Sequence, residues 1–226
     1  MNTEMDVILP AAGLAKRMRG IPKFLLPASA GYKSLLEIHL ENLVNLYSSV
    51  LLPTRPELIP VIESLDFDLR NVELIGMKTS TMSETILNTI SISNEEKHLL
   101  IMPDTYFYGE LPYKSFNPDT VFCELTCWRI REEQRGNLGE VEIIDGKVIN
   151  IIDKSLTSNF KYSWGALTFT NELKPYIKKQ DPHIGYAVKN ALDDGKQISP
   201  LLVDGQYFDC GTPGEYVELL KKVFYE

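Results

Sequence analysis

Lys16, Arg17, Arg19 and Lys23 concentrate positive charge just after an apolar run (Val7, Ile8, Leu9) and the small residues Ala11, Ala12, Gly13 and Ala15, with no acid between Ala11 and Lys23. A strand opening into a loop of small residues lets backbone N–H groups approach a ligand, and neighbouring cations suit polyphosphate oxygens. In a chain of formal net charge −8 the cluster runs against the overall field, and a nucleoside triphosphate is the ligand it fits. The loop is not a Walker A sequence, because Gly13 lacks the following Gly-Lys-Ser/Thr at the required offset. Nor is it a G-x-G-x-x-G turn, because Ala15 stands where the second glycine would be.

Three further segments carry chemistry-bearing residues, the first two of them at the ends of expected strands. Leu99–Met102 runs into Pro103-Asp104. Gly139-Glu140-Val141-Glu142 leads through Asp145-Gly146 to Ile151-Ile152-Asp153-Lys154. Residues 207–216 read Tyr-Phe-Asp-Cys-Gly-Thr-Pro-Gly-Glu-Tyr.

The elements that must position these groups alternate through the first half. Strands are expected at Met5–Leu9, Ser49–Leu52, Val72–Ile75 and His98–Met102, and helices at Ser34–Tyr47, Glu57–Leu65 and Thr81–Ile92. Thr81 and Glu84 are spaced as a capping box. This β-α-β order implies a parallel sheet with right-handed crossovers and helices on both faces, whose ligands sit at the carboxyl ends of the strands. The loop at Ala11–Arg17 and the turn at Pro103-Asp104 both belong to that edge. The second half reads as strands at Val121–Trp128, Gly139–Ile144, Val148–Ile152 and Ser163–Thr170, with helices at Leu173–Lys179 and Ile184–Asp193. A last helix runs from about Pro213 to Phe224.

With 226 residues, 44% hydrophobic and 24% charged, the chain has the composition of one globular α/β domain. No apolar run approaches the roughly 20 residues of a membrane span, and the first residues lack a signal-peptide pattern. Cys123, Cys127 and Cys210 and three histidines show no metal-ligand spacing, and free buried thiols fit a reducing, cytoplasmic setting. His39, on an otherwise apolar helical face, reads as a packed side chain. The acidic balance argues against nucleic acid or an anionic membrane as partner.

The chain resembles the sugar nucleotidyltransferases, which join a nucleoside triphosphate to a sugar 1-phosphate. The family's opening A-G/A-G-x-G-x-R-M-x(n)-P-K is matched from Ala11 to Lys23, with Ala15 as the departure. Its aspartate closing an apolar strand is matched by Asp104. Its E-K-P element is matched by Asp153-Lys154, with Ser155 for proline, and its late D-x-G-T-P-x-x-Y by Asp209–Tyr216. The resemblance spans nearly the whole chain and implies a single-domain Rossmann-like (GT-A-like) nucleotidyltransferase fold. It has a mixed, mostly parallel central sheet and an inserted antiparallel part. Residues 1–118 would form the nucleotide half and 119–226 the acceptor half.

The resemblance also implies roles. Leu9, Ala11, Ala12, Gly13, Ala15, Lys16, Arg17 and Ser83 would bind the nucleotide. Arg17, Lys23, Asp104 and Asp209 would be catalytic, the two aspartates holding Mg²⁺, a hard cation that takes oxygen ligands and keeps waters. Gly139, Asp153, Lys154 and Trp164 would face the acceptor. A simple enzyme without an appended domain, monomeric or homodimeric, is expected. Rival readings are a cytidylyltransferase for a non-sugar phosphate, such as phosphocholine or a polyol phosphate, and a silent nucleotide-binding module. Terpenoid-pathway and molybdopterin relatives are disfavoured, because no Asp-Ala-Ala-Arg-Pro or Asn-x-Asn-Thr-Pro segment occurs.

Overall fold

The computed structural model describes residues 5–225. Its strands are β1 (Asp6–Ile8), β2 (Val50–Thr54), β3 (Val72–Gly76), β4 (Lys97–Ile101), β5 (Thr105–Gly109), β6 (Cys123–Arg129), β7 (Gly139–Ile144), β8 (Lys147–Asp153), β9 (Tyr162–Thr170), β10 (Ser199–Leu202) and β11 (Gly205–Asp209). The α-helices are α1 (Leu35–Leu43), α2 (Ile59–Glu63), α3 (Met82–Ile92), α4 (Gly185–Asp193) and α5 (Pro213–Tyr225).

Among the described residues, nine strands form one sheet in the order β10-β6-β9-β4-β1-β2-β3, with β7 and β8 carried off β9. β1 pairs in parallel with β2 and β4, and β2 with β3. β9 runs antiparallel between β4 and β6, while β10 is parallel to β6. Along that path β9 alone is reversed, so the sheet is mixed and mostly parallel, as expected.

Alternation along β1 shows why helices cover both faces. Val7 and Leu9 join a core with Leu36, Leu40 and Leu43 of α1, whereas Ile8 joins a separate core with Ile86 and Ile90 of α3 and Val188 of α4. Burying both faces is what a parallel sheet requires.

Several elements depart from expectation. Helix α1 is shorter than Ser34–Tyr47; it starts where Ser34 and Glu37 form a reciprocal capping box and ends at Leu43. Pro60 opens α2 after a separate 3-10 turn at Pro56–Leu58, so Glu57–Leu65 is not one helix. Pro175 limits the expected helix at Leu173–Lys179 to a 3-10 run over Asn171–Tyr176. At α3, Thr81 Oγ1 accepts from Glu84 N as expected, but the Glu84 carboxylate reaches back to Ser80 N at 2.8 Å rather than to Thr81 N.

Three strands went unexpected. β10 is an edge strand that accommodates Pro200. β5 and β11 form their own antiparallel pair, with Asp209 opposite Thr105. The three cysteines are free and buried.

Candidate active site

Two adjoining cavities lie where β1 and β4 end. The larger, about 850 Å³, is lined on one side by Ala11, Ala12, Gly13, Ala15, Lys16 and Arg17. Lys23, Met102, Asp104 and Thr79 to Met82 also line it. A Cβ added to Gly13 would meet nothing within 4 Å, so this stretch of backbone faces open space that a ligand can fill. Ala15 (φ 47°) and Arg19 (φ 53°) hold left-handed conformations on either side of a 3-10 turn at Lys16–Met18. Met18 N and Gly20 N both donate to Ala15 O, at 2.9 and 3.1 Å. The backbone thus keeps the shape a glycine would give, at a cost of roughly 1–2 kcal/mol for the methyl group.

The smaller cavity, about 410 Å³, brings together all four expected acceptor residues: Gly139, Asp153, Lys154 and Trp164. Its lining is mainly apolar, including Leu138, Ile151 and Ile184. Glycine is needed at two places in its wall. A Cβ on Gly139 would stand 2.5 Å from Trp164 Nε1, and one on Gly165 would stand 2.3 Å from the Tyr207 ring. Lys154 sits at φ 51°, with its N–H bonded to Leu138 O at 3.0 Å. Arg17, Met82 and Met102 line both cavities, which therefore meet at those residues.

Asp104 and Asp209 stand beside each other at this junction. The β5–β11 pairing places them at neighbouring strand ends, and Cys210 N donates to Asp104 O at 3.0 Å. Asp104 is 8% exposed and ion-paired to Lys23. Burial first, and the Asp104 charge second, push the Asp209 carboxyl above the usual carboxylate range; Lys23, the Gly211 N–H and Arg17 pull it back. Gly211 N donates to Asp209 Oδ1 at 2.9 Å. Thr212 Oγ1 accepts from Glu215 N at 3.3 Å at the start of α5, so the late motif also caps a helix.

Two crowded carboxylates with oxygen donors only are a fitting set for Mg²⁺, which binds through one or two carboxylates completed by water and substrate phosphates. Among the described residues no group of three or more His, Cys, Asp or Glu side chains could enclose a metal by itself. A substrate-completed site fits better than a protein cage.

Two expected nucleotide residues lie elsewhere. Leu9 is fully buried in the core with Val7, because the period-2 pattern of β1 turns its side chain to α1. Ser83 lies in the first turn of α3, 1% exposed, and lines neither cavity. His183, Tyr186, Lys189 and Tyr207 were not anticipated, yet line the smaller cavity. Only Tyr207 fell within a motif; no spacing signal marks the other three. His39 is packed: Nδ1 accepts from Tyr113 Oη at 2.8 Å, and Nε2 donates to Thr105 O at 2.9 Å, next to Asp104.

No family model matches the chain, and no curated protein matches it. Solved structures do. A UDP-glucose pyrophosphorylase complexed with UDP-glucose is 16% identical with a TM-score of 0.79, covering 98% of each chain. An inositol-1-phosphate CTP transferase from T. maritima is 16% identical with a TM-score of 0.77, covering 100% of this chain and 98% of that one. A UTP-bound UGPase from Acinetobacter baumannii is 14% identical with a TM-score of 0.76, covering 98% and 93%. At such identities the likeness establishes the fold, and the chain has the fold of these enzymes. Among the described residues no helix is long and apolar enough to cross a membrane.

Proposed function

We propose that this protein is a nucleotidyltransferase that joins a nucleoside triphosphate to a sugar 1-phosphate or a related phosphate, releasing pyrophosphate. The observation that carries the reading is the meeting of the two cavities at Arg17, Met82 and Met102, with Lys23, Asp104 and Asp209 at the junction. Residues 1–118 would supply the nucleotide half and 119–226 the acceptor half.

Backbone N–H groups at Gly13 and Ala15, with Lys16 and Arg17, suit the triphosphate. Lys23, which lines the larger cavity beside Asp104, suits the α-phosphate, and Lys154 suits the acceptor's phosphate. An acceptor phosphate oxygen attacks the α-phosphorus in line; the bond from that phosphorus to the bridging oxygen breaks, and pyrophosphate leaves. A phosphate monoester is largely dianionic at neutral pH, its second pKa being about 6, so no general base is required. The protein's work is to hold two polyanions together and offset their charge. Mg²⁺ held by Asp104 and Asp209 would supply further neutralisation of the phosphate oxygens.

A second reading is cytidylyl transfer to a non-sugar phosphate. It is favoured by the likeness to the inositol-1-phosphate CTP transferase, which covers all of this chain. One experiment serves both: pyrophosphate release with Mg²⁺, each of ATP, CTP, GTP, UTP and dTTP, and a panel of hexose 1-phosphates, inositol 1-phosphate and phosphocholine. Turnover that needs both a triphosphate and an acceptor supports transfer, and the productive pair separates the two readings. No turnover with triphosphate binding intact would favour a silent binding module.

A further inference from the structure

His183 and Asp153, thirty positions apart, meet at the solvent-exposed lining of the smaller cavity: His183 Nε2 lies 3.0 Å from Asp153 Oδ2. The imidazole also packs against a second ring, its centroid 4.8 Å from that of Tyr186. Asp153 ends β8, and among the described residues no side chain donates to its Oδ1. Lys154, the next residue, also lines the cavity and forms no ion pair among the described residues.

We infer that His183 is a positioning residue for acceptor recognition, a role that rests on the transferase reading above. Nε2–H donates to Asp153 Oδ2 whether the imidazole is neutral or charged, and so holds the carboxylate with Oδ1 open to accept from a hydroxyl of the acceptor's body. A carboxylate held in this way is also kept from turning onto the adjacent Lys154. That lysine stays available to the acceptor's phosphate. The acceptor class indicated is a hydroxylated ring phosphate, one face of which can rest on Trp164.

The test uses pyrophosphate-release kinetics on the whole protein with four variants. His183→Phe keeps a ring against Tyr186 and removes the donor; His183→Gln keeps an N–H at the Nε2 position. Losing one hydrogen bond to a charged group should raise the acceptor KM about tenfold in His183→Phe and in Asp153→Asn, while the triphosphate KM stays within about twofold. His183→Gln should stay within about threefold of the parent. The double variant should match Asp153→Asn alone, because the two residues act as one unit. An unchanged acceptor KM in His183→Phe, equal rises for both substrates, or multiplying effects in the double variant would overturn the role. If the parent binds triphosphate without turning over, calorimetric acceptor binding decides: weaker binding by His183→Phe supports the role, and equal or absent binding refutes it. A parent that binds no triphosphate would instead sink the transferase reading, and the inference with it.

Discussion

Lys23 is ion-paired to Asp104, a carboxylate only 8% exposed, while Asp104 in turn raises the proton affinity of Asp209. Two carboxylates thus face Lys23, which pairs with Asp104, and Arg17, whose charge also reaches Asp209. On the proposed function, the acids would take a further cation and Lys23 would serve a phosphate. Asp104→Asn and Asp209→Asn should each lower kcat by about 10³-fold, and Lys23→Ala by about 10²- to 10³-fold. Circular dichroism should show each variant folded. Pyrophosphate release at saturating Mg²⁺ checks the rates, and near-parental turnover in either aspartate variant would remove that residue from the cation site.

Gly139 lies against Nε1 of the Trp164 indole, with room for hydrogen but not for a methyl group. Gly139→Ala should therefore push Trp164 into the acceptor cavity. The acceptor KM should rise about tenfold or more, with triphosphate affinity unchanged. Intrinsic fluorescence should report the tryptophan's new environment. An unaltered acceptor KM would mean that Trp164 does not border the bound acceptor.

Much of this arrangement is legible in the chain, because strand and helix periods and strand-ending motifs are local signals. Ala11–Arg17 and Asp104 could be placed at one sheet edge from the order of elements alone. Asp209 could be placed there only by resemblance, because its strand β11 pairs with β5 across about a hundred residues. That pairing leaves no periodic trace in five-residue strands. His183 is harder still: it lies in an irregular turn before α4, and only the fold brings it to Asp153. Leu9 precedes the motif, where the strand's alternation still governs direction and turns its side chain into the core. The Ser83 side chain is buried on helix α3, a direction that the helical period rather than the motif sets.

Ala15 occupies a left-handed conformation just before the 3-10 turn at Lys16–Met18. Ala15→Gly should relieve about 1 kcal/mol of backbone strain, offset in part by the greater freedom of glycine in the unfolded chain. Stability in urea should change by less than about 1 kcal/mol, and turnover should be retained. Ala15→Val, whose branched side chain tolerates positive φ poorly, should weaken triphosphate binding and lower the melting temperature. A valine variant that binds triphosphate like the parent would show that the loop is free to rearrange.

His39 ties α1 to the strand that follows Asp104, and it does so as a neutral imidazole. Burial lowers its pKa from 6.5 to about 4, outweighing the opposing effects of Thr105 O and the Asp104 charge. The unfolded chain therefore binds a proton that the folded chain refuses between those two values. The contribution to stability is complete above pH 6.5 and is lost as the pH falls towards 4, with a slope of about 1.4 kcal/mol per unit and a total of about 3 kcal/mol. His98 is shifted in the same direction by burial, so the His39 share must be read as a difference. Urea unfolding of the parent and of His39→Gln at intervals from pH 4 to pH 7.5 provides it. The variant should be less stable at neutral pH, with a profile flatter by about one proton between pH 6.5 and 4. Parallel profiles would mean that His39 takes up its proton in the folded state as readily as in the unfolded one.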